Sequence, residues 1–146
     1  MEIHDLNRTD CWEFLGPRRL GRLGCARDNR PYVVPVSFAI RSPYIVAFTT
    51  LGKKVEYLRA NPFVCIQFDE ILSPQSWTSV IAEGEFEELS EERAQSDAHQ
   101  LLEKAVWWEP GYVRTTVHGQ LRPMAPIYFR VFVNSIAGRR GVPDST

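Results

Sequence analysis

Apolar and polar positions alternate along much of the chain, and the period changes from stretch to stretch. Asn7 to Leu15 reads as a short helix: Asn7 can cap it with Asp10 three residues on, Trp12 and Leu15 share a face, and Gly16-Pro17 stops it. Trp12 reads as a core anchor. Leu20 to Ala26 alternates as a first strand, and Arg27-Asp28-Asn29-Arg30 is rich in turn formers. Pro31 to Ile40, β-branched and aromatic, makes a second strand and completes a hairpin. Pro35 has no N–H, so it marks an edge or a bulge, where neighbouring backbone groups are left free. Arg41-Ser42-Pro43 turns the chain into a third strand, Tyr44 to Thr50.

A helix from about Lys53 to Ala60 follows, with Val55, Leu58 and Tyr57 inward, and Asn61-Pro62 ends it. Phe63 to Asp69 is a fourth strand. Trp77 to Leu89 is a long fifth, with Gly84 at a bulge or bend. Ser90 caps a third helix, with Arg93 at its third position. It runs to about Val106 and places Ala94, Ala98, Leu101, Leu102 and Ala105 on one face. Trp107-Trp108-Glu109-Pro110-Gly111 breaks it, and Trp107 and Trp108 read as core residues rather than as a ligand wall. Residues 112–125 show no clear period. Ile127 to Val133 is a last strand, and Gly138-Arg139-Arg140-Gly141 opens a polar tail. Six mainly antiparallel strands with about three helices, in a single domain over residues 1–146, give an α+β fold. Closing the sheet into a small barrel removes its bare edges.

Composition narrows the function. The 146 residues are 44% hydrophobic and 24% charged with a net charge of −1, which fits a soluble globular domain and argues against a nucleic-acid partner. Cys11, Cys25 and Cys65 are odd in number and widely spaced, which fits a reducing compartment better than a disulfide framework. The polar start Met1-Glu2-Ile3-His4-Asp5 is unlike a signal peptide, and no apolar run reaches membrane-spanning length. The expectation is a cytoplasmic protein with no membrane association.

The chain lacks a P-loop, a G-x-G-x-x-G, an H-E-x-x-H and a G-x-S-x-G. His4, His99 and His118 have no metal-ligand spacing with the cysteines, so no metal site is expected. The acids between residues 83 and 92 read as a solvated edge and a helix start. What remains is Thr49-Thr50-Leu51-Gly52-Lys53-Lys54. Two cations stand at a helix start, where free N–H groups and the helix dipole already favour an anion. Thr49 or Thr50 supplies a hydroxyl, Gly52 lets backbone approach closely, and Lys53 and Lys54 supply charge. Alternation puts Trp77 and Ser79 on one face of the fifth strand, with Thr78 and Val80 on the other.

The succession Gly21-Arg22-Leu23-Gly24, Pro31-Tyr32-Val33-Val34-Pro35-Val36-Ser37-Phe38, Phe48-Thr49-Thr50-x-Gly52-Lys53-Lys54-x-x-x-Leu58-x-x-Asn61-Pro62-x-Val64-Cys65 and Trp77-x-Ser79-Val80-x-x-x-Gly84 resembles the pyridoxamine 5′-phosphate oxidase-like family. It is most similar to the branch that includes nitroimidazole-resistance proteins. The resemblance implies an FMN-binding split β-barrel and a homodimer with flavin at the subunit interface. It implies that Lys53 and Lys54 hold the FMN phosphate with Thr49, Thr50 and Ser79. The backbone of Pro35, Val36, Ser37 and Phe38 would run beside the ring, with Trp77 and Val80 nearby. No segment near the C-terminus matches the substrate-recognition segment of true pyridoxamine-phosphate oxidases, and Arg139-Arg140 is at most a remnant, so vitamin B6 oxidation is not the expected activity. The expectation is an FMN-dependent oxidoreductase that passes electrons from NADH or NADPH to a small acceptor such as a nitroaromatic or quinone. No side-chain acid or base is singled out as catalytic. The alternative is a protein that stores or senses a flavin, haem or deazaflavin without catalysis.

Overall fold

The computed structural model of the protein describes residues 1–105, 112–114, 121–123 and 125–145, the two short segments as backbone alone. The order is β1 (Glu2–Leu6), α1 (Arg8–Leu15), β2 (Leu20–Arg27), β3 (Arg30–Arg41), β4 (Tyr44–Thr49), α2 (Lys53–Ala60), β5 (Phe63–Ser73), β6 (Ser76–Glu88), α3 (Glu92–Ala105), β7 (Tyr112–Arg114), β8 (Leu121–Pro123) and β9 (Ile127–Val142). Among the described residues no helix is long and apolar enough to cross a membrane.

Local chemistry explains the punctuation. Asn7 Oδ1 accepts the Asp10 backbone N–H at 2.8 Å and starts α1. The β2–β3 turn places Asp28 and Asn29 at φ 51° and 62°, the left-handed region these side chains tolerate. At the end of α2, Asn61 is extended before Pro62, and its Nδ2 donates to the Ala26 carbonyl at 3.1 Å, tying the helix end to β2. The third helix starts later than Ser90: Gln95 N–H donates to Glu91 O at 2.9 Å, and the Gln95 side chain caps Leu89 O at the same distance.

The main sheet runs β1-β9-β4-β3-β2-β5-β6, and a further β6–β9 pairing closes it. The closed ring is therefore the six antiparallel strands β9, β4, β3, β2, β5 and β6, an α+β barrel as the sequence suggests. Strand β1 is an appended seventh, and β7 and β8 form a separate two-stranded piece. Two strand assignments need correction. Residues 2–6 are a strand, not a free polar terminus, and β9 continues to Val142 instead of ending at Val133. The reason is the same in both cases: β9 from Gly138 to Val142 is hydrogen-bonded to β1, and as far as Gly141 to β6 as well, so pairing rather than burial holds these polar residues extended. The register of β6 against β9 shifts between Glu83 and Gly84, where the sequence marks a bulge. A Cβ at Gly84 would lie 2.0 Å from the Phe132 carbonyl oxygen, so only glycine fits.

Two apolar clusters hold this frame. Leu23, Phe38, Ile45, Ile66, Phe68, Val80 and Phe129 fill the barrel, with Tyr57 and Leu58 of α2 and Phe14 and Leu15 of α1. Outside the barrel, α3 lays Ala98 and Leu102 against Ala39, Val46 and Phe48, with Ala94 and Leu101 at the margin. This is the apolar face its sequence period shows.

Candidate functional site

Strand β3 changes partner along its length. Up to Ser37 it pairs with β2, and from Phe38 to Arg41 it pairs with β4. Beyond the Phe38–Ala47 pair, β4 continues as Phe48 and Thr49 against β9 alone, so β3 and β4 fork. Pro35 lies on the one-sided part of β3, opposite Arg22, which suits a residue with no N–H to offer. A cavity of about 360 Å³ occupies the fork, lined by Leu20, Pro35, Val36, Ser37, Phe48, Thr49, Thr50 and Lys54.

Thr49 is buried and, among the described residues, its hydroxyl makes only a long 3.4 Å contact with the Thr50 carbonyl. The chain then turns into α2. Gly52 is its N-cap, in an extended conformation with no side-chain cap, and Glu56 N–H reaches Gly52 O at 3.3 Å. The first turn of a helix carries N–H groups without intrahelical acceptors, and these lie beside Thr49 and Thr50. A Cβ at Gly52 would meet nothing within 4 Å, so neither packing nor backbone conformation requires glycine there.

The two lysines separate. Lys54 turns into the cavity and is half-buried. Burial pushes its ammonium below the ordinary 10.5, opposed by the neighbouring Cys25 thiol. That thiol, buried beneath it, is pushed up from 9.0, mainly by desolvation and further by Cys65, while Lys54 pulls the other way. Lys53 stays exposed, with its Nζ 5.1 Å from the Tyr32 ring centre and 5.6 Å from that of Tyr57. Among the described residues, neither lysine has a carboxylate within ion-pair distance.

The other sequence candidates lie elsewhere in this chain. Phe38 is fully buried, edge-on to Phe68 with ring centres 5.8 Å apart. Val80 is fully buried in the barrel core, so it offers no surface to a ligand at the fork. Trp77 and Ser79 do share the outer face of β6. Ser79 Oγ accepts from Gln67 Nε2 at 3.2 Å, and Trp77 lines another cleft with Phe14, Arg18 and Arg140. Arg140 Nε donates to Thr78 Oγ1 at 3.1 Å and Arg139 pairs with Asp5 at 3.1 Å. Trp107 and Trp108 lie outside the described residues. Sequence reasoning missed Leu20 and Phe48 as cavity walls. Phe48 opens the motif Phe48-Thr49-Thr50-x-Gly52-Lys53-Lys54, which was the available signal; Leu20 carried none.

The family model described as pyridoxamine 5′-phosphate oxidase matches residues 7–140. The chain belongs to the pyridoxamine 5′-phosphate oxidase family. Within the curated proteins, an uncharacterised protein of Rhizobium meliloti (strain 1021) is 32% identical over 144 residues, covering 95% of each chain. The crystal structure of a FAD-binding protein from Mesorhizobium loti is 36% identical with a TM-score of 0.78, covering 97% of this chain and 99% of that one. The FAD-binding protein from Mycobacterium smegmatis (24% identity, TM-score 0.67) covers 94% of this chain and 98% of the other, and shares the fold. So does a candidate 5-nitroimidazole antibiotic resistance protein from Bacteroides thetaiotaomicron (17%, TM-score 0.70), with coverages of 96% and 89%. The pyridoxamine 5′-phosphate oxidase family match spans all the cavity residues, from Leu20 to Lys54.

Proposed function

We propose that the protein binds a flavin nucleotide, with a phosphate in the fork between β3 and β4. The observation that carries this is Lys54: a half-buried ammonium, without a carboxylate partner among the described residues, beside two threonine hydroxyls and an uncapped helix start. Burying a cation without a counter-charge is costly, and a phosphate relieves that cost while using every donor present. The donor set therefore fits the group. Gly52 then has a reason, since it keeps backbone open to close approach. Thr49, Thr50 and Lys54 bind the phosphate, Lys53 adds charge at the rim, and the one-sided backbone of Pro35, Val36 and Ser37 borders the rest of the ligand.

FMN is the smaller ligand, and its single terminal phosphate matches one cluster of donors. The 36% identical relative is named for binding FAD, which supports FAD as the second reading. When bound, the flavin supplies the redox chemistry. On this reading the protein is an oxidoreductase that takes electrons from NADH or NADPH and passes them to a small acceptor such as a nitroaromatic or quinone. A second copy completes the site in a homodimer. The outward Trp77 and Ser79 would act from the partner copy, and exposed Leu20 and Leu51 flank the fork where the partner would cover it. The competing reading is flavin storage or sensing without turnover. It is favoured by a cavity lining in which, among the described residues, Lys54 is the one ordinary proton-transfer group.

An absorbance spectrum of the purified protein tests the core of this reading. A flavin band, and chromatography of the released cofactor to separate FMN from FAD, are expected. A colourless protein that takes up neither flavin on titration overturns it. Anaerobic stopped-flow mixing with NADH or NADPH decides between oxidoreductase and storage, by rapid bleaching or by none.

A further inference from the structure

On the far side of the sheet from the barrel core, α3 does not close fully onto β3, β4 and β9. A cavity of about 250 Å³ remains, lined by Arg41, Tyr44, Val46, Leu89, Ala94, Asp97, Ala98, Leu101 and Arg130. Ala94 and Ala98, one turn apart on α3, leave the room. Val46, Leu89 and Leu101 give it an apolar floor. The volume is below that of sites for drug-sized ligands, so a small molecule fits.

Its charges are arranged in a particular way. Arg130 is held in place: Nε and one terminal nitrogen donate to the two Glu87 oxygens at 2.8 and 3.3 Å, and the guanidinium sits 4.3 Å from the Tyr44 ring centre. A guanidinium has five N–H donors, so a fixed fork of donors remains unused among the described residues. Arg41 on β3 has no ion pair or side-chain hydrogen bond among the described residues, and neither has Asp97 on the facing helix. One wall thus offers guanidinium groups, the other a carboxylate, with an apolar floor between them.

We propose that this cavity binds an apolar α-amino acid. Its carboxylate pairs with Arg41 and the spare donors of Arg130, its ammonium pairs with Asp97, and its side chain rests on Val46, Leu89 and Leu101. A simple carboxylate leaves Asp97 facing it unpaired, and a simple amine leaves the two guanidinium groups unpaired. A ligand bearing both charges gains a contact at each wall, where a simple carboxylate or a simple amine gains one.

The test is calorimetric titration of the full-length protein, with the cofactor it purifies with, against L-leucine, L-phenylalanine, L-leucinamide and 4-methylpentanoate. Leucine and phenylalanine are expected to bind. Leucinamide, without the carboxylate, and 4-methylpentanoate, without the ammonium, are each expected to bind more weakly, by about fivefold, the scale of an exposed charge pair. Arg41→Gln should reduce the preference over leucinamide, Arg130 still holding the carboxylate, and Asp97→Asn should erase the preference over 4-methylpentanoate. Both positions are exposed, so the variants are expected to fold; the wild-type ligand series decides the matter alone if one does not. The proposal is overturned if neither amino acid binds at millimolar concentration, or if 4-methylpentanoate or leucinamide binds as tightly as leucine.

Discussion

Replacing Lys54 by methionine keeps most of its volume and removes its charge. Lys54 is the lysine that lines the cavity, whereas Lys53 lies outside, against Tyr32 and Tyr57. A charge-assisted hydrogen bond contributes about 1.5–3 kcal/mol. Lys54→Met should therefore weaken flavin binding roughly 10- to 100-fold. An exposed charge acting through solvent contributes about 1 kcal/mol or less, so Lys53→Met should cost no more than roughly fivefold. The apoprotein should respond in the opposite direction. Burial depresses the Lys54 pKa below 10.5 in the folded state, so its charge opposes folding wherever it is protonated, and removing it should raise apoprotein stability. The sign extends to pH. Between the depressed folded value and 10.5 the unfolded chain holds the extra proton, so Lys54 makes apoprotein stability rise with pH across that window, and Lys54→Met removes the rise. Fluorescence titration of apoprotein with FMN and FAD, paired with urea unfolding, reads both effects. Equal losses from the two lysine variants, or undiminished affinity in Lys54→Met, would refute the placement of the phosphate.

Gly52→Ala should leave apoprotein stability within about 1 kcal/mol, because the backbone is extended and the new methyl meets nothing, yet lower flavin affinity if phosphate sits against that Cα; unfolding and binding assays on one sample separate the two. Gly84→Ala should cost about 3 kcal/mol or more in urea unfolding, since its Cβ would fall 2.0 Å from the Phe132 carbonyl oxygen. The Cys11 and Cys25 thiols are pushed up from 9.0 by burial. Their contribution is complete below 9.0 and is lost as pH rises towards the folded values, so Cys11→Ala should flatten the alkaline decline in stability.

Much of this molecule is legible from local chemistry. Asn7, the Asp28-Asn29 turn, Asn61-Pro62 and the Gly84 bulge each act within a few residues, and each sits where the sequence places it. The strands at both ends were not legible. Glu2 to Leu6 is almost wholly exposed, and Gly138 to Arg140 reads as tail; both are extended because of partners distant in sequence, and no periodicity records that. The site divides in the same way. Thr49, Thr50 and Lys54 reach the cavity with Pro35, Val36 and Ser37 because β3 and β4 are adjacent strands that fork. Trp77 and Ser79 point outward from a strand that the ring places apart from the fork. The alternation that pairs their side chains is correct, but it does not say what they face.

The last strand also sets the order of events in folding. Until β9 docks, β1 has no partner and β4 and β6 each have one unpaired edge. Its pairings join residues as far apart as Glu2 and Val142, contacts that are slow to find because the loop they close is nearly the whole chain. On the ribosome, every strand from β1 to β6 is made before the one that seals them. For that interval the nascent chain carries open strand edges of the kind that pair with other chains. Chaperone demand and aggregation during synthesis should therefore depend less on how well the core packs than on how soon residues 127–142 emerge.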